Sequence, residues 1–132
     1  LDRLYLVGGL QAGEGMTRRA TGAALYAANA TDDALIDFIA ASVDALGFAA
    51  PTITLRRPAP FGDAHGLRCN IETATGDGLA FSGAALIAQR DSRLSAILYL
   101  AAREHYFAAG LPDVEAIMAS AKLADQSGKV GR

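Results

Sequence analysis

The sequence has one cysteine and no apolar run long enough to suggest a membrane helix. Because Cys69 has no partner within the chain, an internal disulfide framework is excluded. A helix needs about 20 apolar residues to cross a bilayer, and no segment approaches that length. We therefore predict no transmembrane segment in this chain and a fold that its hydrophobic core must stabilise.

The chain also lacks a basic excess. Twelve Lys and Arg residues face fourteen Asp and Glu residues, which gives a formal net charge of -2. Nucleic-acid binders usually carry a basic stripe, because phosphate neutralisation dominates their affinity. The adjacent basic pairs, Arg18-Arg19 and Arg56-Arg57, do not extend into clusters. We therefore expect no nucleic-acid partner.

Length and hydrophobic content are sufficient for one core. The chain has 132 residues, of which 52% are hydrophobic, and a domain near this size buries about two-thirds of its unfolded surface. We predict a single α+β domain over residues 1–124 and a flexible, polar C-terminal tail over residues 125–132. The first residue is Leu1 and not Met, which we interpret as a sign of processing or truncation.

Hydrophobic periodicity predicts the order of the elements. Residues 32–46 have the spacing of an amphipathic helix, with Thr31 as its N-cap. A second helical pattern begins near Gly110 and Pro112. Short apolar or alternating segments predict strands at 4–7, 52–56, 67–74, 79–88 and 94–100.

The segments between these elements predict how the strands are connected. Residues 8–30 are predicted to form a long loop, and residues 57–62, with two prolines, a turn or rigid loop. Residues 75–78 are the strongest hairpin signal, and residues 90–92 form the next turn. Short hairpins require antiparallel neighbours. We therefore predict an antiparallel sheet of about five strands with helices packed on it.

Two apparent motifs do not carry chemistry. Gly8 and Gly13 have the spacing of a phosphate-binding loop, but Glu14 stands where lysine is needed and Gly15 where a hydroxyl is needed. Cys69 lies on the apolar face of a predicted strand, where cysteine behaves as a small hydrophobic residue. We therefore predict no nucleotide cofactor and no catalytic residue.

Five residues remain as candidates for ligand binding. Glu104, His105 and Tyr106 combine titratable and aromatic groups just after the last strand, and His105 is the best single candidate. The competing interpretation is that the aromatic residues here close the end of the core. Arg68 and His65 are the other two candidates.

Arg68 and His65 each have an ordinary explanation as well. Arg68 shares a strand face with Asn70 and Glu72, so it either lines a polar site or faces water on a solvated sheet. His65 lies close to Asp63 in sequence, but a metal site needs three or four converging ligands. We therefore predict no metal site.

Three sequence phrases resemble a known group of proteins. They are residues 4–10 followed by Gly13-Glu14, residues 57–62 leading into 66–68, and residues 105–107 before 114–120. Together they resemble uncharacterised bacterial envelope proteins, often lipoproteins, of the PsbP-like α/β/α-sandwich type. The resemblance implies an antiparallel sheet between helices, a periplasmic or envelope location and a binding or accessory role, and it is compatible with an upstream lipid anchor. It implies no catalytic residues.

The leading functional hypothesis is a non-enzymatic envelope or accessory domain that binds a protein partner or a small ligand. One alternative is a small hydrolase or isomerase that uses His105 or His65 with Glu104, Asp63 or Tyr106 as acid and base. A further alternative is a structural or oligomerisation domain, which a broad exposed apolar patch would indicate.

Overall fold

The structure is a computed structural model, and it describes residues 2–123. Five strands form one antiparallel sheet in the order β1-β5-β4-β3-β2, which confirms the predicted α+β fold. Residues 125–132, predicted as a flexible tail, lie outside the described residues. The elements are β1 (Asp2–Gln11), α1 (Asp32–Ala45), β2 (Ala49–Phe61), β3 (Ala64–Ala74), β4 (Ala80–Arg90), β5 (Arg93–Ala102) and α2 (Ala108–Ser120).

The two helices cover opposite faces of the sheet, so the molecule is an α/β/α sandwich. On the α1 face, helix residues such as Ile39 pack against Ile87 and Leu98 of the central strands. On the α2 face, Val114 packs in a second cluster that contains Leu86. The central strands β4 and β5 are buried along nearly their whole length because they are covered on both faces.

Helix α1 forms where the sequence predicts it. The Thr31 hydroxyl accepts a hydrogen bond from the Ala34 backbone N–H at 3.1 Å, which caps the first turn. Asp32 and Asp33 add negative charge at the positive end of the helix. The chain then leaves the helix through Gly47, whose φ of +101° suits glycine.

The first strand is longer than predicted. Residues 8–11 were expected to begin the long loop, but β1 continues through them to Gln11. A bulge lies between Val7 and Leu10, and Gly9 supplies the positive φ of +70° there. The bulge allows the strand to continue past two glycines that, by composition alone, end a strand.

The connection from β1 to α1 is attached to the sheet through Gln89. The Tyr26 hydroxyl donates to Gln89 Oε1 at 2.6 Å, and the Ala30 N–H donates to the same oxygen at 3.1 Å. The Gln89 amide in turn donates to the Ala30 carbonyl. Tyr26 is buried, and burial raises the pKa of its hydroxyl. The connection is therefore part of the layer on the α1 face.

The prediction of a turn or rigid loop at residues 57–62 is wrong, because β2 continues to Phe61 and the chain reverses at Gly62 and Asp63. An edge strand tolerates proline, since its outer N–H groups need no partner strand. Bulges interrupt β2 twice, and Ala50 and Leu55 have φ of +46° and +51° within them. By contrast, the hairpin turn predicted at residues 75–78 is confirmed by the hydrogen bond from the Gly78 N–H to the Thr75 carbonyl.

Helix α2 begins before the predicted start at Gly110 and Pro112. It starts at Ala108, and Pro112 lies inside it. A Cβ on Gly110 would lie 2.1 Å from the Tyr99 hydroxyl, so glycine is needed for the close approach of Tyr99. That hydroxyl donates to the Tyr106 carbonyl at 3.1 Å, which ties the segment before α2 to strand β5.

Candidate functional site

The two candidate histidines lie at opposite ends of the sheet. His65 is near the start of β3, whereas His105 follows Ala102 at the end of β5. In the register, Ala102 pairs with Phe81, which pairs with Thr73. Thr73 lies eight residues after His65 along β3, about 26 Å at the usual rise of a strand. The structure therefore does not bring His65 and His105 into one site.

Neither histidine has an acidic partner among the contacts of the described residues. Asp63, close to His65 in sequence, forms an ion pair with Arg90 at 2.6 Å, and this bond lowers the pKa of Asp63. Glu104 and His105 are exposed side chains on the kinked turn before α2, and His105 has φ of +74°. Within residues 2–123, no group of three or more His, Cys, Asp or Glu residues could hold a metal ion.

Tyr106 contributes to the structure through its backbone. Its carbonyl accepts the bond from Tyr99, while its side chain is 47% exposed. The next residue, Phe107, stacks on the Tyr99 ring with centroids 5.6 Å apart. Phe107 thus packs at this end of the core, as the competing interpretation of the segment expects, whereas the Tyr106 ring does not.

Cys69 is a core residue, as the strand pattern predicts. It is fully buried on the α1 face with Leu67 and Ile71. Burial raises the pKa of the Cys69 thiol to about 11. The thiol is therefore protonated at neutral pH, and a protonated thiol is neither a good nucleophile nor a metal ligand.

Arg68 lies on the α2 face of β3, and α2 covers it. It is only 8% exposed, so the prediction of a solvated sheet face is wrong for this residue. Its Nη1 atom lies 3.6 Å from Oε2 of Glu115 on α2, and its buried Nε has no hydrogen-bond partner. The sequence indicates the strand face that carries Arg68 but not the burial of its side chain, because that burial depends on where α2 crosses the sheet.

A second arginine on the same face of the sheet is well paired. Arg103 contacts Glu72 at 2.5 Å and donates from Nε to the Ser82 hydroxyl at 3.3 Å. Ser82 also donates to Glu72 at 2.9 Å, which completes a closed network. The Arg103 guanidinium group therefore has both a carboxylate and a hydroxyl as hydrogen-bond acceptors.

The outer edge of β1 carries an exposed apolar pair that the sequence did not indicate. Leu4 is 41% exposed and Leu6 is 61% exposed, and both lie on the α2 face. Beside Leu6 is a groove of about 310 Å³ whose lining includes Ile97 and Ile117. A run of adjacent apolar residues predicts a strand covered on both faces, so the exposure of Leu4 and Leu6 follows only from the edge position of β1.

Comparison with known proteins leaves the geometry as the basis for interpretation. No known family and no curated protein matches this chain. Within residues 2–123, no helix is long and apolar enough to cross a membrane. The two features that need a functional explanation are the exposed edge of β1 and the unsatisfied Arg68.

Proposed function

We propose that this chain is a non-enzymatic binding domain that pairs with a protein strand along the outer edge of β1. The supporting observation is the difference between the two edges of the sheet. Residues 2–7 form a regular strand, without proline or bulge, whose one partner among the described strands is β5. The outer N–H and C=O groups of such an edge are a template for another strand.

The opposite edge, β2, is poorly suited to strand pairing. Pro51, Pro58 and Pro60 lack the N–H groups that a neighbouring strand would need. The bulges at Ala50 and Leu55 further break the regular spacing of its hydrogen-bonding groups. These are the features by which natural edge strands avoid association, so pairing is directed to β1.

The partner that the sequence of β1 fits best is a second copy of the chain. Antiparallel pairing about a two-fold axis at Tyr5 would place Leu4 of each copy opposite Leu6 of the other. Arg3 would then face Val7, so no like charges would meet across the contact. Apolar cross-strand pairs contribute about 0.2–1 kcal/mol each, and pairing would cover both exposed leucines.

The PsbP-like resemblance supports the same proposal from the sequence. It implies a binding or accessory role in the bacterial periplasm or envelope. In our proposal the sandwich is the scaffold for that role and β1 is the contact surface. The alternative hydrolase or isomerase is less favoured, since Asp63 is paired with Arg90 and both Glu104 and His105 are exposed.

Sedimentation velocity over a wide range of protein concentrations tests the proposal. We expect the wild-type chain to form a dimer at high concentration and Leu6→Lys to remain a monomer, because a lysine ammonium would be desolvated at the contact. Leu55→Lys is the matched control, because Leu55 is an equally conspicuous leucine, 70% exposed, on the other edge. This variant should dimerise like the wild type.

Two results would reject pairing at β1 with a second copy. One is a wild-type chain that stays monomeric at every concentration. The other is loss of the dimer in Leu55→Lys as well as Leu6→Lys, which would move the contact away from β1. If the monomeric wild type instead binds a synthetic peptide with alternating apolar residues, the occupant is a foreign strand and the dimer is rejected.

A further inference from the structure

Two arginines face each other across strands β2 and β3 on the α2 face. Arg57 is directly opposite Arg68 in the register, so their side chains lie on the same side of the sheet. The Cβ atoms of directly opposed residues are about 4.5–5.5 Å apart, and like charges in this arrangement are destabilising. Such a pair is tolerated most readily when a group of opposite charge lies against both side chains.

Arg68 does not receive adequate compensation from the chain itself. A guanidinium group has five N–H donors, but the buried Nε of Arg68 has no hydrogen-bond partner within residues 2–123. Its one ion pair, with Glu115, is 3.6 Å long, and the Glu115 side chain is 51% exposed. A charged group that is buried without hydrogen bonds is costly, so the site lacks an acceptor.

Arg103, unlike Arg68, has close hydrogen-bond acceptors for its guanidinium group. Arg103 is more exposed than Arg68, yet it has a close carboxylate and a hydroxyl acceptor. Arg57, opposite Arg68, is exposed and forms no ion pair with any residue from 2 to 123. The long contact between Arg68 and Glu115 is therefore the one ion pair formed by these two arginines within residues 2–123, where two close contacts would be expected.

We propose that Arg57 and Arg68 bind the oxyanion group of a small ligand, a carboxylate or a phosphate, beside α2. Planar guanidinium groups bind both oxyanions through paired N–H donors. Asn70 lies two residues along β3 on the same face, with Thr54 opposite it, so neutral donors border the charged pair. Glu115 acts as a weak internal substitute that the ligand displaces.

This site is independent of the proposed contact at β1. Strand β3, which carries Arg68, is separated from β1 by β4 and β5 in the sheet order. A failure of strand pairing at β1 therefore does not bear on the anion site. Each proposal has its own measurement.

Titration of the chain with inorganic phosphate and, separately, with acetate, followed by amide NMR shifts, tests the anion site. Sodium chloride at equal ionic strength controls for screening. We expect saturable shifts near Arg68, and the anion that saturates at the lower concentration identifies the ligand class. Arg57→Gln should weaken binding on the order of tenfold, the factor that about 1.4 kcal/mol represents.

Glu115→Gln should have the opposite effect to Arg57→Gln. Without the Glu115 carboxylate, phosphate or acetate has no competitor for Arg68, so each anion should bind more tightly. Arg19→Gln, an exposed arginine on the connection, is the matched control and should bind like the wild type. Because Arg57 is exposed, its loss does not threaten folding, which far-ultraviolet circular dichroism would verify.

Three outcomes would overturn the proposal. The absence of shifts beyond those of sodium chloride with both anions would exclude an oxyanion site. Equal weakening of binding by Arg19→Gln and Arg57→Gln would indicate general charge screening. Finally, an unchanged affinity in Glu115→Gln would show that the anion does not occupy the position beside Glu115.

Discussion

The α1 face and the α2 face of the same sheet differ in what covers them. On the α1 face, helix α1, the connection anchored by Gln89 and the core around Cys69 form one large apolar cluster. On the α2 face, a smaller cluster beneath α2 is bordered by the Arg68 site on one side and by exposed Leu6 on the other. Both features of the proposed binding role therefore lie on the α2 face, and we expect the α1 face to contribute more to stability.

The most direct test of this comparison uses two leucines that differ mainly in the face they occupy. Leu98 lies on the α1 face and Leu86 on the α2 face, and each is 2% exposed on a central strand. Leu→Ala changes in a core cost about 2–5 kcal/mol, more where neighbours cannot collapse into the cavity. We expect Leu98→Ala to fall in the upper half of that range and Leu86→Ala in the lower half, as measured by urea unfolding.

If Leu86→Ala destabilised the protein as much as Leu98→Ala, the two faces would contribute equally. The proposed division between a stabilising face and a binding face would then be wrong. The wild-type dependence of the unfolding free energy on urea concentration provides the reference, since a changed slope would indicate an altered unfolded state.

Alkaline pH should weaken the α1 face through Cys69. The thiol ionises near pH 9.0 in the unfolded chain, while burial raises its pKa to about 11 in the folded chain. Between these values the unfolded state releases its proton first, so the free energy of unfolding falls as pH rises. Two pKa units correspond to about 2–3 kcal/mol.

The control for this prediction is Cys69→Ala. Urea unfolding of both proteins below pH 9 and near pH 11 isolates the thiol, because the buried tyrosines titrate equally in each. The variant should lose less stability than the wild type over this interval. An identical loss would show that the Cys69 thiol ionises in the folded chain as easily as in water.

Loss of Gln89 should loosen the connection on the α1 face. Gln89→Ala removes both bonds to Ala30 and the acceptor to which the buried Tyr26 O–H donates. We expect a loss of about 1–3 kcal/mol of stability. Hydrogen exchange of the Gly13 and Tyr26 amides, which hydrogen-bond within the connection, should accelerate more than exchange in α2.

The exposed Gln11 offers a control, and Gln11→Ala should leave stability nearly unchanged. Equal acceleration of exchange in α2 and in the connection would mean that Gln89 supports the whole domain. In that case the connection would not be a separable part of the α1 layer.

The smallest expected effect concerns the α2 face and has the opposite sign. Arg68→Met removes a buried charge with a poor partner and retains an apolar side chain of similar length. Replacement of buried ionic groups by hydrophobic residues is often neutral or stabilising, and we expect a gain of about 1 kcal/mol in buffer without phosphate or carboxylate. Differential scanning calorimetry would measure the rise in Tm.

Arg103→Met provides the comparison for this change, because Arg103 is well paired with Glu72 and Ser82. It should destabilise the protein or leave it unchanged. A clear loss of stability in Arg68→Met would show instead that Glu115 compensates Arg68 well in solution.

Much of the fold could be predicted because it depends on local signals. The Thr31 cap and the apolar periodicity of 32–46 specify α1, and the glycine-containing turn at 75–78 specifies a hairpin. The path of β2 could not be predicted, because its prolines are compatible with a strand only at a sheet edge. The start of α2 is harder to predict, because Gly110 of α2 contacts Tyr99 of β5, and a pattern within one element does not reveal a contact between two elements.

The candidate site was predicted less well, because it depends on contacts between elements and not on local signals. Residue type alone identified Arg68, but its burial depends on α2 and its opposition to Arg57 depends on a register that bulges shift. Leu4 and Leu6 were not candidates, since their exposure follows from the position of β1 in the sheet order. His105 was a candidate because its imidazole is titratable, and the structure places it on an exposed turn.

The prolines and bulges of β2 also limit the size of any assembly. In the language of polymer chemistry, a sheet with two open edges is a bifunctional monomer, which can add copies at both ends and grow into a fibre. Under the proposed pairing this chain would behave as a monofunctional monomer, since β1 is the reactive edge of the sheet formed by residues 2–123. Two-fold pairing would consume that edge in both copies, so growth would terminate at two and the product would be a closed particle.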